Sequence, residues 1–403
     1  MSLVLNTNVD SLVAQNSLTS SAAKLATALQ QLSSGLRVNT AADDAAGYAI
    51  AQGMTSQING LTQAARNAND GVSLTQTASG ALSEVTSDLQ TMRDLAVQSL
   101  NATNSTNDRA DLNAQYAQLA ADINNVAANT QFNGVNLLDG SFQGADFQIG
   151  ANAGQIISVS SISSASTSAV GNYYTTAATA GTYTAPATAD VGTNVSFDVT
   201  VGTNAQVVTS SIKLTGTQAT DLANVASAIN QAIGTSDGIV ATVNAAGTGI
   251  SLSTAKGAAQ TVTIGIDASS TASAAVTANT LGLDTSYTLG QAAGTSQNLS
   301  NTSVNSVDAS NLVLISVDNA LQQLATSSAQ LGAYQNRFQA AITGLNTDAT
   351  NLSNARSNIV DTDYAASTSA MSKAQILQQA GTAMVAQANT IPQNILTLLQ
   401  KLP

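Results

Sequence analysis

The 403-residue chain contains no cysteine, no histidine and no tryptophan. Without cysteine there are no disulfides, thiolate nucleophiles, Fe–S clusters or zinc–thiolate sites. Without histidine the usual general base and the commonest neutral metal ligand are missing. Ser-His-Asp hydrolysis, Cys-His proteolysis and imidazole-bound zinc catalysis are therefore excluded, and neither a metal nor a cofactor is expected. Charge is scarce too: 8% of residues are Asp, Glu, Lys or Arg, against about 25% in ordinary soluble domains. The balance is acidic, with net charge −12, and Lys and Arg never cluster, so nucleic-acid binding is not expected. No window approaches the ~20 apolar residues of a membrane span. The first twenty residues lack a basic n-region, an apolar core and a small-residue cleavage site. That pattern predicts a cytoplasmic protein, or one exported by a pathway that reads no cleavable signal.

What is present divides the chain in three. The only prolines are Pro186, Pro392 and Pro403. Proline costs about 3 kcal/mol inside a helix, so everything before Pro186 and the long run before Pro392 lack the strongest helix breaker. Both regions are rich in Ala, Leu, Gln, Ser and Asn, with helical spacing of apolar residues. Residues 172–295 differ. Thr, Val, Gly and Ser alternate there in runs such as Val195–Val201 and Gln260–Ile266, the period-2 signature of half-buried strands. One stretch, Asp221–Ile233, returns to helical period with Leu222, Val225, Ile229 and Ile233 on one face. The predicted class is α+β: long helical terminal arms and coiled-coil or bundle rods with a flanking β-hairpin, plus a central β-rich insert.

The N-terminal arm carries Leu18, Ala22, Leu25, Leu29, Leu32 and Leu36 at intervals of 4, 3, 4, 3 and 4. Leu5, Val9 and Leu12 precede them in another phase, so the seam shifts near Gln15. The C-terminal arm repeats the device with Leu377, Ala380, Met384, Ala388, Ile391, Ile395, Leu398 and Leu402. Such a stripe on a polar helix is a coiled-coil seam or the buried face of a bundle. Packing within one compact domain is the plain alternative. Yet both stripes sit at chain ends, where helices fray unless docked, and two such helices alone bury too little to be stable. The seams are therefore read as subunit interface, disordered in the lone chain and helical once many copies assemble.

Between the arms lie longer helices. Asp43-Asp44 opens one reaching about Leu100, on the order of 80 Å at 1.5 Å per residue. A second, about Asn107–Asn129, carries Leu112, Tyr116, Leu119 and Ile123. A third, about Val304–Ile359, carries Val307, Leu314, Val317, Leu321, Leu324, Leu331, Phe338, Ile342, Leu345 and Leu352. Phe132–Gly140 sets Asn-Gly and Asp-Gly around an apolar run, a hairpin signal.

Several blocks now point to one family. Ser33–Gly47, with Gly35, Arg37, Asp43 and Asp44, is followed by Asn69-Asp70-Gly71 and by Thr130–Gly134, with Phe132, Asn133 and Gly134. Near the other end come Asp363-Tyr364-Ala365, Met371–Ala380, with Lys373 and Gln378, and Ala386–Asn394, with Asn389 and Pro392. Together they resemble the terminal blocks of bacterial flagellins. The middle matches loosely, residues 221–266 being similar to a small insert module of flagellins and hook-associated proteins. The resemblance implies a secreted structural subunit that polymerises with itself into the extracellular flagellar filament used for motility. It implies an inner tube of arms (1–42 and 363–403), an outer tube of rods and hairpin (43–171 and 296–362), and a surface insert (172–295). It also implies unfolded export through the flagellar type III channel, with an export chaperone, a filament cap and hook-associated junction proteins as partners.

One departure stands out. Flagellins recognised by the vertebrate Toll-like receptor carry a basic residue and a Glu where this chain has Thr91 and Gln115, while Leu95 is retained. The resemblance therefore implies weak receptor recognition. Asp43-Asp44 and Asp361/Asp363 are the close carboxylate pairs. Both flank helices and lack the spacing of a 12-residue calcium loop, so capping is favoured over catalysis. Gly247-Thr248-Gly249 lacks a phosphate loop's remaining residues and reads as a turn. Tyr173-Tyr174 marks the edge of the insert. A hook–filament junction protein, or a surface adhesin or glycan binder acting through the insert, are the alternatives. An enzyme is not, for want of any nucleophile–base or metal constellation.

Overall fold

In the computed structural model the described residues are 8–177, 182–202, 207–233, 238–244, 246–255, 260–268, 270–272, 276–289 and 295–400; the side chains of Ala177, Thr295 and residues 391–400 lie outside the description. The helices are α1 (Val9–Ser34), α2 (Ala45–Ser99), α3 (Thr106–Asn129), α4 (Gln218–Ile233), α5 (Val307–Val360) and α6 (Tyr364–Gln400). The early strands are β1 (Gln131–Phe132), β2 (Val135–Asn136), β3 (Gly144–Gln148) and β4 (Ile156–Ser160). The insert holds β5 (Tyr173–Ala177), β6 (Asn194–Val195), β7 (Phe197–Val201), β8 (Val207–Val208), β9 (Ile212–Lys213), β10 (Ile239–Val243), β11 (Ile250–Thr254), β12 (Gln260–Ile266), β13 (Ser286–Leu289) and β14 (Thr295–Gln297). The chain divides into two compact units: residues 1–69, 148–156 and 340–403, and residues 70–147 and 157–339.

In the second unit the helical period places one buried line on each helix. Leu74, Leu82, Val85, Leu89 and Met92 of α2, Leu112, Tyr116 and Ile123 of α3, and Val313, Val317, Leu324, Leu331 and Phe338 of α5 are all buried. Local chemistry fixes the helix ends. Ser105 and Asp108 form a reciprocal capping box at the start of α3. Arg109 Nε donates to Ser99 O at 2.9 Å, placing a cation on the C-terminal carbonyls of α2. A buried hydroxyl seam joins α2 to α5, with Ser310 Oγ donating to Ser99 Oγ (3.1 Å) and Ser99 Oγ to Val304 O (2.7 Å).

The hairpin is shorter than the sequence suggests. Asn133 (φ 51°) and Gly134 (φ 80°) make the two-residue turn between β1 and β2, the geometry Asn-Gly favours. Asp139-Gly140 is a separate turn, with the Asp139 carboxylate accepting from Ser141 N at 2.8 Å, while Leu137 and Leu138 turn fully inward.

The insert enters and leaves side by side, since β5 pairs antiparallel with β14 through Tyr173↔Gln297. Its strands form two four-stranded sheets, β10-β11-β5-β14 and β13-β12-β7-β8, with β6 paired to β9. Helix α4 covers them, its Leu222, Val225, Ile229 and Ile233 joining Phe197, Val199, Leu252, Val262 and Ile264 in one core. The run Val195–Val201 is not one strand, for Ser196 breaks it into β6 and β7, its N–H accepted by Ser270 Oγ at 3.0 Å. Gly247 (φ 68°) turns β10 into β11, donating to Asn244 O at 2.9 Å. Tyr173 is buried at the insert edge.

Candidate assembly interface

The arms belong to the first unit, where α1 and α6 pack against each other. Asn8 lies beside Ala388, Leu18 against Gly381 and Gly35 against Tyr364, so the two run antiparallel. Exposure defines the facing lines. On α1 the facing line is Ser11, Ala14, Leu18, Ser21, Leu25, Ala28 and Leu32, with Ala22 and Gln31 half-covered beside it; on α6 it is Ser367, Met371, Ala374, Gln378, Gly381, Val385 and Ala388. Both repeat at alternating intervals of 3 and 4, the period of a supercoiled seam.

This corrects one expectation. No phase shift occurs near Gln15, because the facing line passes through Ser11 and Ala14 and leaves Val9 and Leu12 on the outer side. The large-residue stripe of the C-terminal arm, read as subunit interface, meets α1 only through Ala388. Leu377 is 44% exposed and Met384 63%, and on α1 Leu12 and Leu29 are 51% and 47% exposed. The most deeply buried seam positions are small or polar, with Leu18, Leu25, Leu32, Met371 and Val385 half-buried along the same lines, while Leu12, Leu29, Leu377 and Met384 stay outside. Two grooves of about 580 Å³ flank it, one with Ala28, Lys373 and Leu377 in its wall, the other with Val13, Ala380 and Met384.

The arms are clasped where they leave the longer helices. Helix α1 stops at Ser34 because Gly35 takes the left-handed conformation (φ 72°) and donates to Gln31 O at 2.9 Å. Leu36 therefore lies beyond the helix, in a β-bridge with Asp361. Arg37 N donates to Val360 O (2.6 Å), Thr362 N to Gly35 O (3.0 Å), and the Arg37 guanidinium to Ile359 O. One carboxylate of each pair caps a helix, Asp44 for α2 and Asp363 for α6, while Asp43 and Asp361 hold the neighbouring loop and helix end. Asp43 Oδ2 accepts from Asn39 N and Thr40 N, which holds its carboxyl below the ordinary Asp range. Asp44 Oδ1 accepts from Gly47 N (2.9 Å), and Asp363 Oδ1 accepts from Ala365 N (2.8 Å) and Ala366 N (3.2 Å). Asp361 accepts from Ser357 Oγ at 2.7 Å.

Residues 5–143 match the family model of the bacterial flagellin N-terminal helical region, and residues 314–399 that of the bacterial flagellin C-terminal helical region. A B-type flagellin of Pseudomonas aeruginosa is 36% identical over 99% of this chain and 100% of its own length. Flagellin B of Vibrio cholerae is 37% identical with the same coverage. The chain belongs to the flagellin family. Among solved structures, FliC from Burkholderia pseudomallei is similar with TM-score 0.40 and 26% identity, over 66% of this chain and 99% of that one. As a flagellin it is a structural subunit of the extracellular filament rather than an enzyme, and that reading prevails over the junction protein. No described helix is long and apolar enough to cross a membrane.

The remaining flagellin-block residues have local jobs. Asn69 Nδ2 donates to Ala65 O (2.8 Å), Asp70 is exposed, and Gly71 is buried beneath Phe338. Phe132 pairs with Val135 across the hairpin. Lys373 is exposed, Gln378 sits half-buried on the seam, and Asn389 accepts from Ser11 Oγ at 2.8 Å. Helix α6 continues through Pro392 to Gln400. Ile391, Ile395 and Leu398 lie in it with side chains outside the description, and Leu5 and Leu402 lie outside the described residues. Thr91 and Gln115 are exposed, whereas Leu95 is only 8% exposed.

Reading the sequence for large apolar residues found Leu18, Leu25, Leu32 and Ala388 but missed the other small and polar seam positions, Asn8, Ser11, Ala28, Ala374 and Gly381. The available signal was a 3–4 repeat of Ser, Ala and Gly running beside the Leu stripes.

Proposed function

We propose that this flagellin polymerises by burying, between neighbouring copies, the large apolar side chains that the α1–α6 pair leaves outside. One observation carries the reading: the buried positions of the intramolecular seam are all small, while Leu12, Leu29, Leu377 and Met384 remain exposed. Burying such a side chain fully is worth about 1.5–3 kcal/mol. A handful per neighbour offsets an association cost of about 4–15 kcal/mol. In this reading residues 1–42 and 363–403 build the inner tube, 43–171 and 296–362 the outer tube, and 172–295 project outward. An export chaperone covering the C-terminal arm, a filament cap and hook-associated junction proteins are the fitting partners, since an exposed apolar arm needs cover before assembly.

The test is seeded polymerisation of the purified full chain. Replacing Leu25, Leu29 and Leu32 with Ser is expected to abolish growth while leaving the body and insert folded. Leu12→Ser/Leu29→Ser/Met384→Ser sharpens it, because these three are already exposed in the single chain. Filaments of normal length from either variant would contradict the proposal.

Recognition by the Toll-like receptor belongs to the same set of proposals. Thr91 and Gln115 offer no charge at the two exposed positions, so the response in a reporter-cell assay is expected to be weak and to rise in Thr91→Arg/Gln115→Glu. Full potency of the unaltered chain refutes it.

A further inference from the structure

Proline 392 lies inside α6, which continues to Gln400. Having no N–H, it cannot donate to the carbonyl four residues earlier, that of Ala388. Ala388 is buried on the seam, 8% exposed, and a buried carbonyl without a donor is costly. The missing donor comes from the other arm: Asn8 Nδ2 donates to Ala388 O at 2.8 Å. The same amide caps α1, its Oδ1 accepting from Ser11 N at 3.0 Å. One turn further on, Ser11 Oγ donates to Asn389 Oδ1 at 2.8 Å.

We propose that Asn8 sets the register of the two arms by supplying the hydrogen bond that Pro392 removes. Shape sets the register weakly. Leu18, Leu25 and Leu32 recur every seven residues, as do Ala14, Ser21 and Ala28, so a slip of one heptad offers near-equivalent packing, whereas a polar group met by a unique partner distinguishes one alignment from all others. A slip in either direction leaves the Ala388 carbonyl without a donor and the Asn8 amide without an acceptor. Pro392 therefore acts as the marker and Asn8 as its reader, and Asn8 is a positioning residue for assembly rather than part of the apolar contact.

The test is a double-mutant cycle on the full chain with Asn8→Asp and Pro392→Ala. Asp keeps the N-cap oxygen but has no N–H to give, while Ala at 392 restores the backbone donor. Exchange of the amides of residues 9–34 and 364–388 is read in both monomer and assembled material. In assembled material Asn8→Asp alone is expected to speed exchange of both arms about fivefold, the worth of one net hydrogen bond. Pro392→Ala alone is expected to be nearly silent, and Asn8→Asp to lose most of its effect in that background. An equal effect of Asn8→Asp with and without Pro392 overturns the proposal, as does no effect at all. So does a parent chain whose arms are protected in neither state. The cycle stands apart from the apolar-contact reading, which fails on the serine variants alone.

Discussion

Gly71 of α2 lies beneath the ring of Phe338 of α5: a Cβ built at 71 would stand 2.6 Å from Phe338 Cζ and 2.8–2.9 Å from its Cε atoms. Phe338 is fully buried and meets Phe147 edge-on, with ring centroids 5.3 Å apart and planes at 82°. The glycine lets one helix backbone approach an aromatic face that no side chain could share. Gly71→Ala is therefore expected to destabilise the body by about 1–3 kcal/mol through overpacking, despite alanine's better helix propensity. Gly80 of the same helix has nothing within 4 Å of its notional Cβ, so Gly80→Ala is expected to stabilise by about 0.5–1 kcal/mol. Calorimetry on the two variants checks the opposite signs.

Asp221 pins α4 to the insert. It is completely buried, and its carboxylate accepts from Thr215 N and Thr215 Oγ1 (2.7 Å each), Gly216 N (3.0 Å) and Tyr183 Oη (2.7 Å). Burial and the adjoining Asp221 carboxylate push the Tyr183 phenol up, so it stays a donor. Asp221→Asn points an NH₂ at groups that are themselves donors. The expected loss is about 2–4 kcal/mol, against about 1 kcal/mol for Tyr183→Phe. Hydrogen exchange resolves the site: the strands of the insert should lose protection while residues 74–92 of α2 keep theirs.

Acid should loosen the turn before α2 by a defined route. Asp43 has a pKa held below its model-peptide value of 3.8, first by the Thr40 N–H, then by the Asn39 N–H and the Thr40 hydroxyl. A depressed carboxyl contributes stability that is present above its unfolded pKa and lost as pH falls through the folded value. The amides of Asn39 and Thr40 are thus expected to stay protected down to about pH 4 and to lose protection below it. Asp43→Asn should abolish most of that pH dependence, and an unchanged profile in the variant would rule the carboxylate out.

Much of this was legible because period alone carries it. The approximate bounds of α2, α3 and β12, and the inward face of α4, follow from apolar spacing and from the Asp43-Asp44 pair before α2. The insert's sheet order was not, since which strands pair depends on contacts between β5, β11 and β14 that local pattern does not encode. The arm seam misled for a physical reason. In an ordinary bundle large apolar residues mark the inward face, but here they stand on both sides: Leu18, Leu25 and Leu32 face α6 while Leu12, Leu29, Leu377 and Met384 point away. The tolerance of Pro392 inside α6 was not legible either, because a side chain 380 residues away in sequence satisfies the carbonyl it orphans.

The arm pair itself makes the strongest demand. Among the described residues its fully buried members are Ser11, Ala28, Ser367, Ala374 and Ala388, none with a large side chain. Fixing one residue's backbone costs about 1–2 kcal/mol, and helices without a packed apolar face are marginal in water. A pair this thin should open often in a dilute single chain and close only when neighbours cover its outer leucines. Amide exchange over residues 9–34 and 364–388 is therefore expected to be near free-chain rates in dilute monomer and at least about a hundredfold slower in filaments, as an added 2.7 kcal/mol or more of protection requires. Strong protection of both arms in the dilute monomer would mean that the pair is complete by itself, and the exposed leucines would then need another explanation.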